Sequence, residues 1–137
     1  LPDFSNNCNH DFDSLHEANH HSIVDRLYTA HGFPMVADVG GRGNKVLPYM
    51  ILHTADTIFQ NLYLPIVQKA CEEQLISWEY YAMLYDKINI VRNGHQRYGT
   101  QYILENGHVL SGLYPFEEED KTAEYRKQVG LVPLSDF

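Results

Sequence analysis

The sequence predicts an α+β domain, mainly helical, with four or five helices packed around one β-hairpin near residues 97–114. Three observations carry this. Apolar side chains recur at helical spacing from residue 13 to residue 91. After Asn93-Gly94 the period becomes twofold, and residues 98–104 and 108–114 flank Glu105-Asn106-Gly107. Asn-Gly between two β-prone runs is the strongest short hairpin signal. A chain of 137 residues with 44% hydrophobic content is also large enough to bury one core without staples.

Residues 1–12 are polar and Asn-rich and are expected as an extended tail, ahead of a single domain over 13–137. A first helix is expected over 13–31, where Leu15, Ile23, Leu27 and Tyr28, with Ala18 and Val24, form one stripe. Asp13 or Ser14 caps it, and Gly32 followed by Pro34 ends it. Gly40-Gly41-Arg42-Gly43 reads as a flexible connection, with anion binding before a helix as the alternative. A second helix covers 43–54, with Val46, Leu47, Met50 and Ile51 inward; Pro48 fits its first turn only if it starts late. A third covers 56–73, and Pro65 is expected to kink or split it. Ser77 caps a fourth, over 78–91, rich in aromatic residues. An acidic stretch, 117–120, introduces a last short helix to Gln128, Gly130 caps that helix, and 131–137 tuck back.

Charge narrows the function. A net charge of −8 and scattered Lys and Arg make a poor partner for nucleic acid or an anionic membrane. No apolar run approaches the roughly 20 residues of a membrane span. The first seven residues hold neither a basic region nor an apolar stretch. No targeting segment is therefore expected there, and location stays open between a bacterial cytoplasm and secretion after loss of a signal. Five of the eight histidines fall in the first 31 residues, so that segment gains positive charge below about pH 6.5. Cys8 and Cys71 fit no C-x-x-C pattern; two free thiols and one disulfide both remain open.

Four constellations could carry chemistry. His53, Asp56 and Gln60 are spaced to share a helix face or meet at a helix junction, and an imidazole beside a carboxylate is a minimal acid–base unit. The competing reading makes Asp56 an N-cap and His53 a junction histidine. Asp86 sits among apolar and aromatic neighbours, where a lone carboxylate is costly. It is either one half of an ion pair with Arg126 or Arg97, or a functional acid. Gln96, Tyr98 and Thr100 would share one strand face, and Arg97, Gly99 and Gln101 the other. They suit recognition of a polar ligand, or satisfaction of loop backbone. Finally, His16-Glu17-Ala18-Asn19-His20 fits the H-E-x-x-H zinc pattern. Its polar surroundings and the missing third-ligand extension argue against a metal.

Several stretches also occur together: Asn19, Gly32-Phe33-Pro34, Val39-Gly40, His53-Thr54-Ala55-Asp56, Phe59-Gln60 and Tyr63-Leu64-Pro65. Further on stand 82–87 with Asp86, Gly94-His95-Gln96, Tyr98-Gly99-Thr100-Gln101, Arg126 and Val129-Gly130-Leu131. Over about residues 13–137 the chain resembles a bacterial family catalogued as a domain of unknown function. It departs where Leu52 precedes His53, where Thr54 separates His53 from Ala55, and where Lys87 follows Asp86. The resemblance implies a fold and a shared polar cluster, and no established reaction.

The leading expectation is a small soluble domain that binds a small polar ligand, with acid–base catalysis of hydrolase, lyase or isomerase type and neither cofactor nor metal. His53 and Asp56 would be the acid–base pair, and Gln60, Asp86, Gln96, Tyr98 and Gln101 would orient the ligand. His53, Asp56, Asp86 and Gln101 would then converge on one site. The alternatives are a non-catalytic interaction or immunity-type module with a protein partner, and a zinc-dependent hydrolase.

Overall fold

The computed structural model describes residues 5–33, 43–105 and 108–134. Helices α1 (Ser5–His31), α2 (Val46–Leu52), α3 (Thr57–Glu72) and α4 (Trp78–Asn93) precede an antiparallel hairpin of β1 (Tyr102–Glu105) and β2 (His108–Leu113). A 3₁₀ turn, Glu119–Lys121, then runs into α5 (Thr122–Gln128). This is the mainly helical α+β architecture that the patterning predicts. No described helix is long and apolar enough to cross a membrane.

The local signals act where expected. Ser77 Oγ accepts the Glu79 N–H and opens α4. Gly94, at φ 79°, closes it with an N–H to the Ile90 carbonyl, a left-handed cap that favours glycine. α2 starts at Val46, late enough to place Pro48 in its first turn. α3 remains one element through Pro65, which stands on its exposed side.

Two boundaries differ from expectation. α1 begins at Ser5, so the segment expected as an extended tail is helical from that residue. No Gly or Pro lies between Ser5 and His31, so nothing in the chain stops the helix from extending N-terminally. β1 begins at Tyr102, four residues after the expected start, and residues 96–101 form a loop. The Gly40-Gly41-Arg42 connection, Pro34, the Asn106-Gly107 turn and the Cys8 side chain lie outside the described residues.

α4 is central because it buries two faces. Leu84 and Ile88 join Ile51, Phe59, Tyr63 and Val67 in the main core. Ala82 joins Tyr98 and Val129 in a second cluster, ringed by Trp78, Tyr81, Tyr85 and Tyr125. α1 packs by one edge, with Val24 fully buried and His21 stacked on Phe59 at 3.9 Å between centroids. A Tyr63 hydroxyl donates to Asp25 Oδ1 and pins the far end of α1 to α3.

Candidate functional site

The residues singled out by the sequence fall into two groups. The first lies at the α2–α3 junction. Asp56 is the N-cap of α3, and its Oδ1 accepts the N–H groups of Ile58 at 2.9 Å and Phe59 at 3.2 Å. His53 is exposed at the end of α2 and stacks on Tyr49, 5.4 Å between centroids. No hydrogen bond joins His53 to Asp56 among the described residues. Asp56 Oδ1 is taken by backbone donors of its own helix, the N-cap role of the competing reading.

Gln60 is buried, and its Nε2 donates to the carbonyls of Ile51 at 3.2 Å, Leu52 at 3.2 Å and Thr54 at 3.1 Å. These lie at and just beyond the end of α2, whose last carbonyls have no partner inside the helix. Lys87 Nζ donates to the Leu52 carbonyl as well, at 2.6 Å, and burial lowers its pKa.

α1 clasps the same junction. Thr54 Oγ1 donates to Glu17 Oε2 at 2.6 Å and takes a bond from His21 Nε2 at 2.8 Å. Ala55 N–H donates to Glu17 Oε1 at 3.2 Å, and His20 Nε2 reaches the Met50 carbonyl at 2.5 Å. Within the H-E-x-x-H run, Glu17 and His20 thus serve helix docking. Among the described residues no group of three or more His, Cys, Asp or Glu side chains is placed to hold a metal ion.

The Thr54 hydroxyl, helped by the Ala55 N–H and by His21 and His20 and opposed by burial, holds the Glu17 carboxyl below its ordinary value of 4.5. A carboxyl depressed on folding stabilises the native state fully above its unfolded pKa, and that stability is lost as pH falls through the folded value. The α1 clasp should therefore loosen below about pH 4.5. Hydrogen exchange of α1 amides against pH measures this, and Glu17→Gln should remove the transition. A Glu17→Gln chain that still opens over the same window would refute the assignment.

The second group lies at α4 and the 96–101 loop. Asp86 is fully buried and accepts four hydrogen bonds. Oδ1 takes Arg97 N–H at 2.8 Å and Tyr98 N–H at 3.1 Å; Oδ2 takes Thr100 N–H at 3.1 Å and Thr100 Oγ1 at 2.8 Å. The expected ion pair with Arg97 or Arg126 is thus replaced by backbone and hydroxyl donors. Arg126 Nε donates to the Val132 carbonyl, and its terminal nitrogen to those of Tyr98 and Gly99. Burial pushes the Asp86 carboxyl above its usual range, and the bonds from Arg97, Tyr98 and Thr100 pull it back.

The adjacent N–H groups of Arg97 and Tyr98, both aimed at Asp86 Oδ1, cannot also alternate along a strand. The expected sharing of faces by Gln96, Tyr98 and Thr100 fails for that reason. Gly99 makes the wrap possible: its φ is +72°, and a Cβ there would meet Phe116 Cε1 at 3.0 Å. Gln96, also fully buried, clips the loop to the hairpin. Its Nε2 donates to the Gln101 and Tyr114 carbonyls, each at 3.0 Å, and its Oε1 accepts the Gln101 N–H at 2.9 Å. Gln101 Nε2 donates to Thr100 Oγ1 at 3.0 Å. Asp86 and Gln101 therefore share one network through Thr100, and no hydrogen bond links it to His53 or Asp56 among the described residues.

The loop presents a different side chain outward. Arg97 Nε donates to Glu117 Oε1. Its guanidinium lies 4.5 Å from the Tyr85 ring centroid and 5.1 Å from that of Tyr125. Burial works against its charge, but the Glu117 bond and the Tyr85 and Glu117 charges outweigh it and raise the Arg97 pKa. Glu117 also accepts from Asn89 Nδ2 at 3.3 Å and sits 3.9 Å from His95 Nδ1. Burial raises the phenol pKa of Tyr81, Tyr85 and Tyr98, while the nearby Arg97 charge lowers each. In the sequence Arg97 stands out as a possible partner of Asp86 and as one of the polar residues of the 96–101 stretch, and not as a partner of Glu117. Its tie to Glu117 spans twenty residues, and no local spacing announces it.

A cleft of about 280 Å³ opens between Glu79, Met83, Gly99, Thr100, Tyr102, Arg126 and residues 131–132. The family model described as "Family of unknown function (DUF6624)" matches residues 18–137. The chain belongs to this family. No curated protein and no solved structure matches it. Within this DUF6624 chain, Asp86, Gln96 and the loop they hold all lie inside the matched region.

Proposed function

We propose that the chain is a binding domain for a small polar molecule, recognised at the Arg97 face. The observation that carries this is a guanidinium held ready. Arg97 is fixed by Glu117 and flanked by the rings of Tyr85 and Tyr125, yet 32% of its side chain is exposed. Its backbone is anchored on the buried Asp86, so little ordering remains to be done when a ligand arrives. The buried glutamines and Asp86 act as the frame of this site. Their hydrogen bonds are directed inward, which favours binding over acid–base turnover by these groups.

The test is a screen of small neutral and charged polar molecules by thermal melting, beside an Arg97→Gln chain. Ligands should raise the parent's midpoint in proportion to the logarithm of their excess over Kd, and the rise should vanish in Arg97→Gln. Absence of any compound whose effect depends on Arg97 would overturn the proposal.

A second reading, a protein-interaction module, draws support from Ile58 and Leu62. They lie one turn apart on α3 and are 77% and 65% exposed. Leu62→Asp should abolish any partner association while leaving the ligand response intact.

A further inference from the structure

We infer that a cleft between the α3–α4 turn and the end of α5 binds a neutral hydroxylated ring, a pyranose sugar unit, stacked on Trp78. This site shares no residue with the Arg97 contacts and stands independently of the function proposed for them. The cleft measures about 640 Å³, and Gln74, Ser77, Trp78, Lys127 and Gln128 line it beside the buried Asn44. Sites for small molecules run from roughly 300 to 1,000 Å³. The first support is a conformation that costs stability. Gln74 holds φ at +60°, in the left-handed region just past the C-cap of α3, where glycine would be free of strain. The turn that imposes this is tied on every side. The N–H groups of Glu73, Gln74 and Leu75 donate to the carbonyls of Lys69 at 3.0 Å, Cys71 at 3.0 Å and Ala70 at 2.9 Å, and Asn44 Nδ2 donates to the Leu75 carbonyl at 2.6 Å. A strained residue held this firmly, and exposed on a cleft, points to a use for its side chain.

The chemistry of the lining selects the ligand. The indole of Trp78 is half-buried and set edge-to-face on Tyr81, 5.5 Å between centroids, so it is a fixed wall of the cleft. The C–H face of a pyranose suits the electron-rich face of an indole. Around it the amides of Gln74 and Gln128 and the hydroxyl of Ser77 are exposed. Amides carry both donors and acceptors, as sugar hydroxyls do. Ser77 Oγ already accepts the Glu79 N–H at 3.3 Å, which leaves its O–H as a donor. Among the described residues that line the cleft none is a carboxylate, although the chain holds 18 Asp and Glu, and Lys127 is the one charged side chain. A single exposed ammonium is weak support for an anion in a chain of net charge −8. A neutral ligand meets no such opposition.

Trp78 is the chain's one tryptophan, so its emission reports on this cleft. The test titrates the full chain with methyl β-glucopyranoside and with N-acetylglucosamine, and separately with glycerol, adenosine and inorganic phosphate. At least one pyranose should shift the emission to saturation with a Kd on the order of 1–10 mM, and that Kd should hold between low and high salt because no ion pair forms. Glycerol has hydroxyls and no ring, and should not saturate. Gln74→Gly relieves the strained backbone and removes the amide. That chain should melt about 2–4 °C above the parent and bind the pyranose roughly fivefold more weakly. Binding lost from a more stable chain does not come from a damaged fold. Gln128→Ala should weaken the pyranose about threefold. Emission unmoved by both pyranoses, a glycerol response equal to theirs, or tighter binding of adenosine or phosphate would overturn the inference. So would Gln74→Gly and Gln128→Ala chains that bind the pyranose like the parent.

Discussion

Replacing Asp86 with Asn should lower stability by about 2–4 kcal/mol, which for a chain of this size is roughly 6–15 °C in the melting midpoint. The carboxylate offers two oxygens, and each accepts two donors. An amide keeps one oxygen and turns the other into a donor. If the amide nitrogen faces Thr100, the Thr100 hydroxyl can rotate to accept from it, but the Thr100 N–H is left against a donor in a fully buried site. If it faces Arg97 and Tyr98, two backbone N–H groups lose their acceptor and neither can rotate. The first arrangement is the less costly, and it sets the lower end of the range. Asp56→Asn is the internal control. Asn caps helices about as well as Asp, so its cost should stay within about 0.5 kcal/mol. Thermal melts of both variants beside the parent decide the matter. An Asp86→Asn chain that melts with the parent would show that the loop is held by something other than this carboxylate.

The contrast between these two aspartates explains how much of the fold and site the sequence disclosed. Asp56 and Ser77 act on N–H groups two or three residues ahead, and Gly94 on a carbonyl four behind. Such short-range devices are written in the residue types, which is why the helix starts and ends near α3 and α4 were legible. Asp86 acts on N–H groups eleven, twelve and fourteen residues away. Backbone donors carry no residue identity, so the sequence could say that a buried carboxylate needs partners but not that they would be amides instead of an arginine. The same limit hid the loop. Tyr98-Gly99-Thr100-Gln101 reads as a strand, and the buried carboxylate beneath it, with Gly99 in a left-handed conformation, bends the chain away from the hairpin. At the α2–α3 junction, the residue types of His53-Thr54-Ala55-Asp56 point to the histidine and the acid. The residue that ties the junction to α1 is Thr54, through Glu17 and His21 more than thirty residues earlier.

Gln96→Ala should cost about 3–5 kcal/mol and act on the hairpin before the helices. The side chain is fully buried, so its loss leaves a cavity as well as broken bonds. Three groups lose a partner: the Gln101 N–H, the Gln101 carbonyl and the Tyr114 carbonyl. The Gln101 carbonyl keeps the Tyr114 N–H at 3.3 Å, so two of the three are left in greatest need. These groups join the residues that enter β1 and leave β2, where the ladder already has an irregularity between Tyr102 and Leu104. A two-stranded hairpin is marginal by itself, so it relies on such ties to the body of the protein. The Gln96 backbone still pairs with Pro115 and Glu117, each at 2.8 Å, and this should keep the Arg97–Glu117 contact in place. The variant should therefore show faster hydrogen exchange across β1 and β2, with protection in α3 and α4 kept until global unfolding. Uniform loss of protection over all elements would mean that Gln96 supports the core as a whole and not the hairpin in particular. Gln96→Glu sharpens the test. It keeps the acceptor for the Gln101 N–H but aims a second carboxylate oxygen at two carbonyls, so it should destabilise the same strands and recover as acidification supplies the missing proton.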